Sequence, residues 1–362
     1  MDQPAELAPQ DLATATALPA HYYVDAAMAA RDRASIFDAA WQLVAHVSQL
    51  RGSGDHVIAD LAGLPILAVR GADGVIRVFH NVCRHRAGPI AQCDGLAAKS
   101  LRCRYHGWTY TLEGQLRAAP EMNGGEAFDV ADIRLQQLAV RVWQGLVFAA
   151  MDATRAPDFD AFVAGIDARL GDDRGLEHYG NHHRASYDIA CNWKVYVDNY
   201  LEGYHVPHVH PGLNRLLDYR SYRTELERWH SLQWSPLESD ASLYGNGDAL
   251  YYWLWPNTML NILPGRMQTN TVIPLGVDRC RVLFDSYYAP DDSDAGKAKR
   301  DADLSFSDEV QHEDLGICED VQRGFASGSY VPGRLNPLRE SGVHHFHEML
   351  RAAYRHASPT DA

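Results

Sequence analysis

Two short segments constrain this chain more than any other part of it. Cys83-Arg84-His85 and Cys103-Arg104-Tyr105-His106 each bring one thiol and one imidazole together, and the seventeen residues 86–102 lie between them. Matched sulfur and nitrogen donors select a transition metal over Ca²⁺ or Mg²⁺. A structural zinc ion accepts the same four donors, but ordinary fingers pair Cys with Cys on one segment and His with His on the other. Here each segment offers one of each. That suits a two-iron cluster in which one iron takes two thiolates and the other two imidazoles, so that each loop ligates both irons. Cys93 lies between the couples without a histidine partner and reads as structural.

The couples sit in strand-like surroundings. His56 to Leu61, Pro65 to Arg70 and Val75 to Phe79 are β-rich runs separated by Ala62-Gly63 and by Gly71-Ala72-Asp73-Gly74, which is hairpin punctuation. The same grammar recurs around Glu113-Gly114, and Gly145 to Ala149 closes the stretch. Upstream, Ile36, Ala39, Ala40, Leu43, Val44 and Val47 recur at helical spacing, predicting an amphipathic lead-in helix over 36–47. Residues 1–20 are acidic, Ala-rich and Pro-containing, and read as a loose tail. The expected organisation is therefore tail and helix over 1–45, a small all-β domain over 46–155, and a second domain over 156–362.

In the second domain the pattern predicts a helix over 159–170, a strand over 183–190 and a helix over 194–204. Strands are expected over 223–237, 251–263 and 267–289, the last folding back at Pro274 to Asp278, then a charged excursion over 291–300 and a helix over 304–326. The whole is α+β: an all-β domain followed by an antiparallel sheet flanked by helices.

A second group of donors falls on the 194–204 helix. Asp198, Glu202 and His205 are spaced i, i+4, i+7 and share one face if the helix is continuous. A solvated stripe would look the same. His210 follows five residues after His205, and Pro207 breaks the helix between them so that the chain can turn back; His208 competes for the same role. Two imidazoles and one carboxylate on one face of Fe(II) leave adjacent positions open for O₂ and substrate.

The segments His80-Asn81-Val82-Cys83-Arg84-His85-Arg86 and Cys103-Arg104-Tyr105-His106-Gly107-Trp108 resemble the Rieske domain of ring-hydroxylating-type oxygenase α subunits, and the resemblance continues from about Leu18 to Arg351. It implies a [2Fe-2S] cluster on Cys83, His85, Cys103 and His106. It also implies a mononuclear Fe(II), with its histidines separated by four residues, as His205 and His210 are. Gln311 to Glu319 resembles the segment that supplies the third ligand five residues before a helical Glu, which selects Asp314 over Glu313, Glu319 and Asp320. Glu202 then corresponds to the carboxylate that links the iron site to the Rieske histidine of a neighbouring subunit. Asp198, on the same predicted face, joins it as a candidate catalytic group. Glu, rather than Asp, resembles the branch that oxidises choline, carnitine and glycine betaine.

The resemblance further implies a homotrimer that uses O₂ as co-substrate. Electrons come from NAD(P)H through a separate flavin reductase or ferredoxin. A quaternary ammonium substrate would sit against aromatic faces, for which Tyr187, Tyr196, Tyr251, Tyr252, Trp253 and Trp255 are candidates, although aromatics are also ordinary strand residues. The His344-His345-Phe346-His347 segment fits pocket lining or a surface helix end. An aromatic carboxylate is the alternative substrate. A simple Rieske electron carrier is the non-enzymatic alternative, but it leaves the second donor set without a purpose. Arg84, Arg86, Lys99, Arg102 and Arg104 gather round the cluster couples of a chain whose formal charge is −14, a landing patch for an acidic redox partner or a set of internal hydrogen bonds. The acidic balance argues against nucleic acid and anionic membrane surfaces. With no run of about 18 apolar residues and six cysteines without a disulfide framework, a cytoplasmic setting is expected.

Overall fold

In the computed structural model, residues 5–122, 127–171, 175–237 and 243–356 are described. They form two compact units, one comprising Ala39–Pro157 with Gly175–His178 and the other the rest of the described chain.

The first unit is built from three small antiparallel sheets: β1 (Trp41–His46), β9 (Leu146–Ala150) and β8 (Ala139–Trp143); β2 (His56–Leu61), β3 (Leu64–Arg70) and β4 (Ile76–His80); and β5 (Leu101–Arg102), β6 (Thr109–Tyr110) and β7 (Leu116–Ala118). The β2–β3 turn is the two-residue Ala62-Gly63, both at positive φ (52° and 88°), the twist that closes a tight hairpin. Gln144-Gly145 (49° and 78°) repeats the device between β8 and β9. The predicted helix over 36–47 does not form. Phe37–Ala39 makes a single 3₁₀ turn, and Trp41–His46 is strand β1 with every residue buried. A strand covered on both faces is apolar throughout, and its residues can imitate helical spacing. The boundary expected at 45/46 therefore falls inside β1.

The second unit carries a seven-stranded antiparallel sheet. Its strands are β10 (Gly180–Ile189), β11 (Arg223–Leu226), β12 (His230–Pro236), β13 (Asp248–Leu254), β14 (Thr258–Leu263), β15 (Arg266–Pro274) and β16 (Cys280–Tyr288). Strands β11 to β16 meander and β10 returns to pair with β16. Two predicted strands are thus hairpins: 223–237 turns at Glu227 to Trp229, and 251–263 turns at Trp255 to Asn257.

Helices α1 (His21–Val24) and α2 (Ala27–Ser35) lie in the segment read as a tail, which is not loose: Leu7, Ala15 and Leu18 are buried, and Thr16 bridges Arg334. Beyond the first unit come α3 (Phe159–Phe162), α4 (Ile166–Leu170), α5 (Trp193–Tyr200), α6 (Val206–Val209), α7 (Pro211–Leu216), α8 (Asp294–Ala326) and α9 (Ser341–His356). The helix predicted over 159–170 breaks at Gly165, which is left-handed (φ 83°). Helix α8 starts ten residues earlier than predicted because Ser293 caps it, its side chain accepting from Gly296 N–H at 3.0 Å. The charged excursion is its cap and about its first two turns. Helix α5 is capped by Asn192, whose side chain accepts from Lys194 N–H (3.0 Å). Lys194 is wholly buried and ion-paired with Asp32 of α2, which also accepts from Trp193 Nε1 (2.8 Å). That pair fastens α5, and the donors that follow it, to the rest of the unit.

Candidate metal centres

In the first unit the two Cys/His segments close into matching loops. Cys83 N–H donates to Gly88 O (2.8 Å) and Ala87 N–H to Cys83 O (3.0 Å); Cys103 N–H donates to Trp108 O (3.0 Å) and Gly107 N–H to Cys103 O (3.0 Å). In each loop the residue four after the cysteine is left-handed, Ala87 at φ 58° and Gly107 at φ 74°. Both cysteines are buried, while His106 is exposed and His85 half-buried, so the sulfur end faces the core and the imidazole end the surface.

The side chains around the loops complete the setting. The His85 and His106 rings stand 4.5 Å apart, edge to face, and His85 stacks on Trp108 at 4.7 Å. Tyr110 Oη accepts from Arg84 N–H (3.1 Å), which leaves its hydrogen for Cys83 Sγ at 3.2 Å. Burial, then Cys83, holds the Tyr110 phenol protonated. Burial and the neighbouring Cys83 also push the Cys103 thiol up, against the thiolate form that a metal ligand takes.

In the second unit α5 stops at Tyr200, so Asp198, Glu202 and His205 do not share a helical face. Asp198 turns away: Tyr23 Oη donates to its Oδ2 (2.7 Å) and His347 Nε2 to its Oδ1 (2.9 Å). It does not line the cavity described below. Glu202 lies in the turn after α5, where its carboxylate accepts from the Tyr204 and His205 N–H groups and from His205 Nδ1 at 2.7 Å. Gly203 is needed there, since a Cβ would lie 2.7 Å from the Tyr222 ring. Pro207 opens the single turn α6 and Pro211 opens α7, and His210 sits between them. His208 is exposed.

This path brings His205 Nε2 to 3.2 Å from His210 Nε2, and Asp314 Oδ1 of α8 to 3.0 Å from His210 Nε2 and 3.7 Å from His205 Nε2. Each donor is held from behind. Glu202 takes His205 Nδ1, Glu313 Oε2 takes His210 Nδ1 (2.7 Å), and Asn199 Nδ2 donates to Asp314 Oδ1 (2.7 Å). Burial opposes the charged form of His210, but Asp314 and Glu313 outweigh it and raise its pKa. Two imidazole nitrogens and a carboxylate oxygen turned on one point could hold a metal cation between them.

Among the described residues this is the only trio of His, Cys, Asp or Glu whose donor atoms all lie within 4.8 Å of one another. The four Cys/His donors of the first unit therefore do not close round one ion, as a zinc site would require. Their spread suits a two-iron cluster, and His85 Nδ1, buried without a hydrogen-bond partner, is the atom such a cluster would satisfy.

The trio opens on a cavity of about 120 Å³. Tyr251, a predicted substrate residue, lines it, as do Tyr196, Tyr200, Tyr222, Tyr244 and Phe284. Trp253 and Trp255 do not: both are core residues packed on Phe346. Tyr187 lies elsewhere, donating to Asp308 (2.7 Å) beside a second cavity. His344 to His347 belong to α9, with Phe346 and His347 buried, and line neither cavity. Sequence reasoning missed Asn199, Gln268 and Arg266. The period-two recurrence Arg266-x-Gln268-x-Asn270 was the available signal for a strand with one polar, cavity-facing side.

The Rieske [2Fe-2S] domain family matches residues 40–139, and the ring hydroxylating alpha subunit catalytic domain matches residues 176–356. The choline monooxygenase of Arabidopsis thaliana is 36% identical over 357 residues, covering 94% of this chain and 83% of that protein. The carnitine monooxygenase oxygenase subunit of Escherichia coli K12 is 30% identical over 359 residues, covering 93% and 94%. A crystal structure of a quaternary ammonium Rieske monooxygenase with L-carnitine superposes with a TM-score of 0.84 at 27% identity, covering 94% of this chain and 96% of that one. This chain belongs to the Rieske-type, ring-hydroxylating oxygenase α subunits, enzymes that join a [2Fe-2S] cluster to a mononuclear iron.

Proposed function

We infer that the chain is the oxygenase component of a monooxygenase acting on a small quaternary ammonium or methylated amine compound, by hydroxylation or oxidative N-dealkylation. The observation that carries this reading is the cavity: tyrosine and phenylalanine faces surround a space that ends at His205, His210 and Asp314. A trimethylammonium group has no proton to donate and is held by aromatic faces instead, each contributing about 0.5–2 kcal/mol. Relatives named for choline and carnitine oxidation support it.

The residue roles follow the same reading. Cys83, His85, Cys103 and His106 hold the cluster, and His205, His210 and Asp314 the mononuclear iron, which when bound supplies O₂ activation with electrons drawn from the cluster. Glu202 fixes His205 in the tautomer that leaves Nε2 free, and Glu313 does the same for His210. Asn199 holds the Asp314 carboxylate, and the aromatic wall keeps water from the reacting end.

A homotrimer, in which Glu202 of one subunit meets the cluster histidines of the next, is part of the proposal. Support comes from the exposure of Tyr105 (58%), whose ring lies against that of His106. Arg84, Arg86, Lys99, Arg102 and Arg104 are all exposed and suit an acidic reductase or ferredoxin. Six cysteines without a disulfide support a reducing, cytoplasmic setting, and no described helix is long and apolar enough to cross a membrane.

The test is single turnover. Protein with its cluster reduced is exposed to O₂ with choline, L-carnitine or benzoate, while cluster reoxidation and product are followed. Trimethylammonium compounds should speed reoxidation and yield product. Acceleration by benzoate alone would move the reading to aromatic carboxylates.

A further inference from the structure

The wall of the cavity carries a cation that the iron chemistry does not use. Arg266 opens β15 and faces the cavity with Gln268 and Asn270, yet is only 6% exposed. Its Nε donates to Asp303 Oδ2 of α8 at 2.9 Å. Tyr288 Oη donates to the same oxygen (2.6 Å) and Tyr244 Oη to Oδ1. Asp303 thus accepts from three donors, whereas Arg266 is held by one of its five N–H groups. Among the described residues, nothing accepts from its two terminal amino groups, and Asp303 is its only carboxylate.

Helix α8 sets the scale. Asp303 and Asp314 are eleven residues apart on it (314 − 303), or about 16 Å along the axis. Between them Phe306, Ser307, Val310 and Gln311 line the cavity. The space therefore runs from an acidic, metal-holding end at Asp314 towards a guanidinium fork fixed by Asp303. A fork of unmet N–H groups matches a carboxylate bidentately.

We propose that Arg266 is a specificity residue that anchors a substrate carboxylate, so that the preferred substrate is a zwitterion carrying both a quaternary ammonium and a carboxylate rather than a trimethylammonium alcohol. This rests on the functional reading above and narrows it. The trimethylammonium end lies among the tyrosines with a methyl group towards the iron donors, and the carboxylate reaches Arg266.

Calorimetric titration of the holoenzyme with γ-butyrobetaine, L-carnitine, choline and benzoate tests it. Wild type should bind a carboxylate-bearing trimethylammonium compound at least ~10-fold more tightly than choline, the worth of one charge-assisted hydrogen bond. Arg266→Gln alone would strand a buried Asp303 charge, so it is paired with Asp303→Asn. The double variant should lose ~10–100-fold for the zwitterions and little for choline, with thermal unfolding as the check on folding. The methyl ester of γ-butyrobetaine probes the wild type without any substitution and should bind as weakly as choline. Unchanged zwitterion affinity in a folded double variant, equal binding of the ester, or preference for choline overturns the proposal. Binding of benzoate and of no trimethylammonium compound overturns the quaternary ammonium reading itself, and is distinguishable because choline then fails as well.

Discussion

The two centres hold their donors by different means. Around the Cys/His donors of the first unit the backbone does the holding: two loops repeat the same pair of N–H···O bonds across each cysteine and the same left-handed residue four positions on. Around His205, His210 and Asp314, side chains hold side chains. Glu202, Glu313 and Asn199 each fix one donor, and the donors come from the turns around α6 and from α8. A backbone-built site has its geometry written into local spacing. A braced site is assembled from segments about a hundred residues apart, and its geometry exists only once the unit has folded.

The strongest test of that contrast is reciprocal. Cys103→Ser should erase the Rieske absorption and EPR signal while the mononuclear iron stays, and Asp314→Ala should remove close to one iron per chain while the Rieske signal stays. Both should abolish turnover. Loss of both metals from either substitution would mean that the centres are not independently built.

Acid should act next, and on the braced region's unit. His230 of β12 is buried, and burial, with His345 nearby, lowers its pKa from 6.5 to about 4. The unfolded chain therefore takes up a proton that the folded chain refuses, so stability should fall as pH drops from 6.5 towards 4, by on the order of 3 kcal/mol. Denaturant melts across that window should flatten in His230→Gln. An equal slope in wild type and variant would remove His230 as the cause.

Smaller effects sharpen the comparison. Glu313→Ala leaves the three donors in place but frees the His210 ring, and should weaken mononuclear iron binding by ~10–100-fold in a chelator competition. Ala87→Gly relieves a left-handed alanine in the first cluster loop, and calorimetry should find a gain of at most about 1 kcal/mol. A loss there would mean that the alanine methyl packs to advantage.

The same contrast decides what was legible in the sequence. The Cys/His couples were readable because each loop is local, and the hairpin at Ala62-Gly63 because its turn residues are its cause. The β1 strand was misread as a helix, since a fully buried strand carries no alternation. Asp198 was placed beside Glu202 on the assumption that α5 continues. The helix stops at Tyr200, and tertiary contacts with Tyr23 and His347 claim the carboxylate instead. Residue type alone makes Trp253 and Trp255 candidates for substrate contact; only packing on Phe346 shows that they are core. Arg266 left no trace beyond a polar alternation, because what makes it notable is a partner 37 residues away on α8.

Strand β1 pairs with β9 so that Trp41 faces Ala150 across the ladder. Apart from the short return of Gly175–His178, the chain therefore enters and leaves the cluster-bearing unit side by side, while residues on both sides of it, from Leu7 to Tyr354, are buried in the other unit. In topological terms the redox unit is a loop with its ends already joined, so inserting it asks almost no closure entropy of its host. A unit attached in this way can be exchanged for one of different potential by splicing at two adjacent points, so long as the replacement also seats the returning segment Gly175–His178.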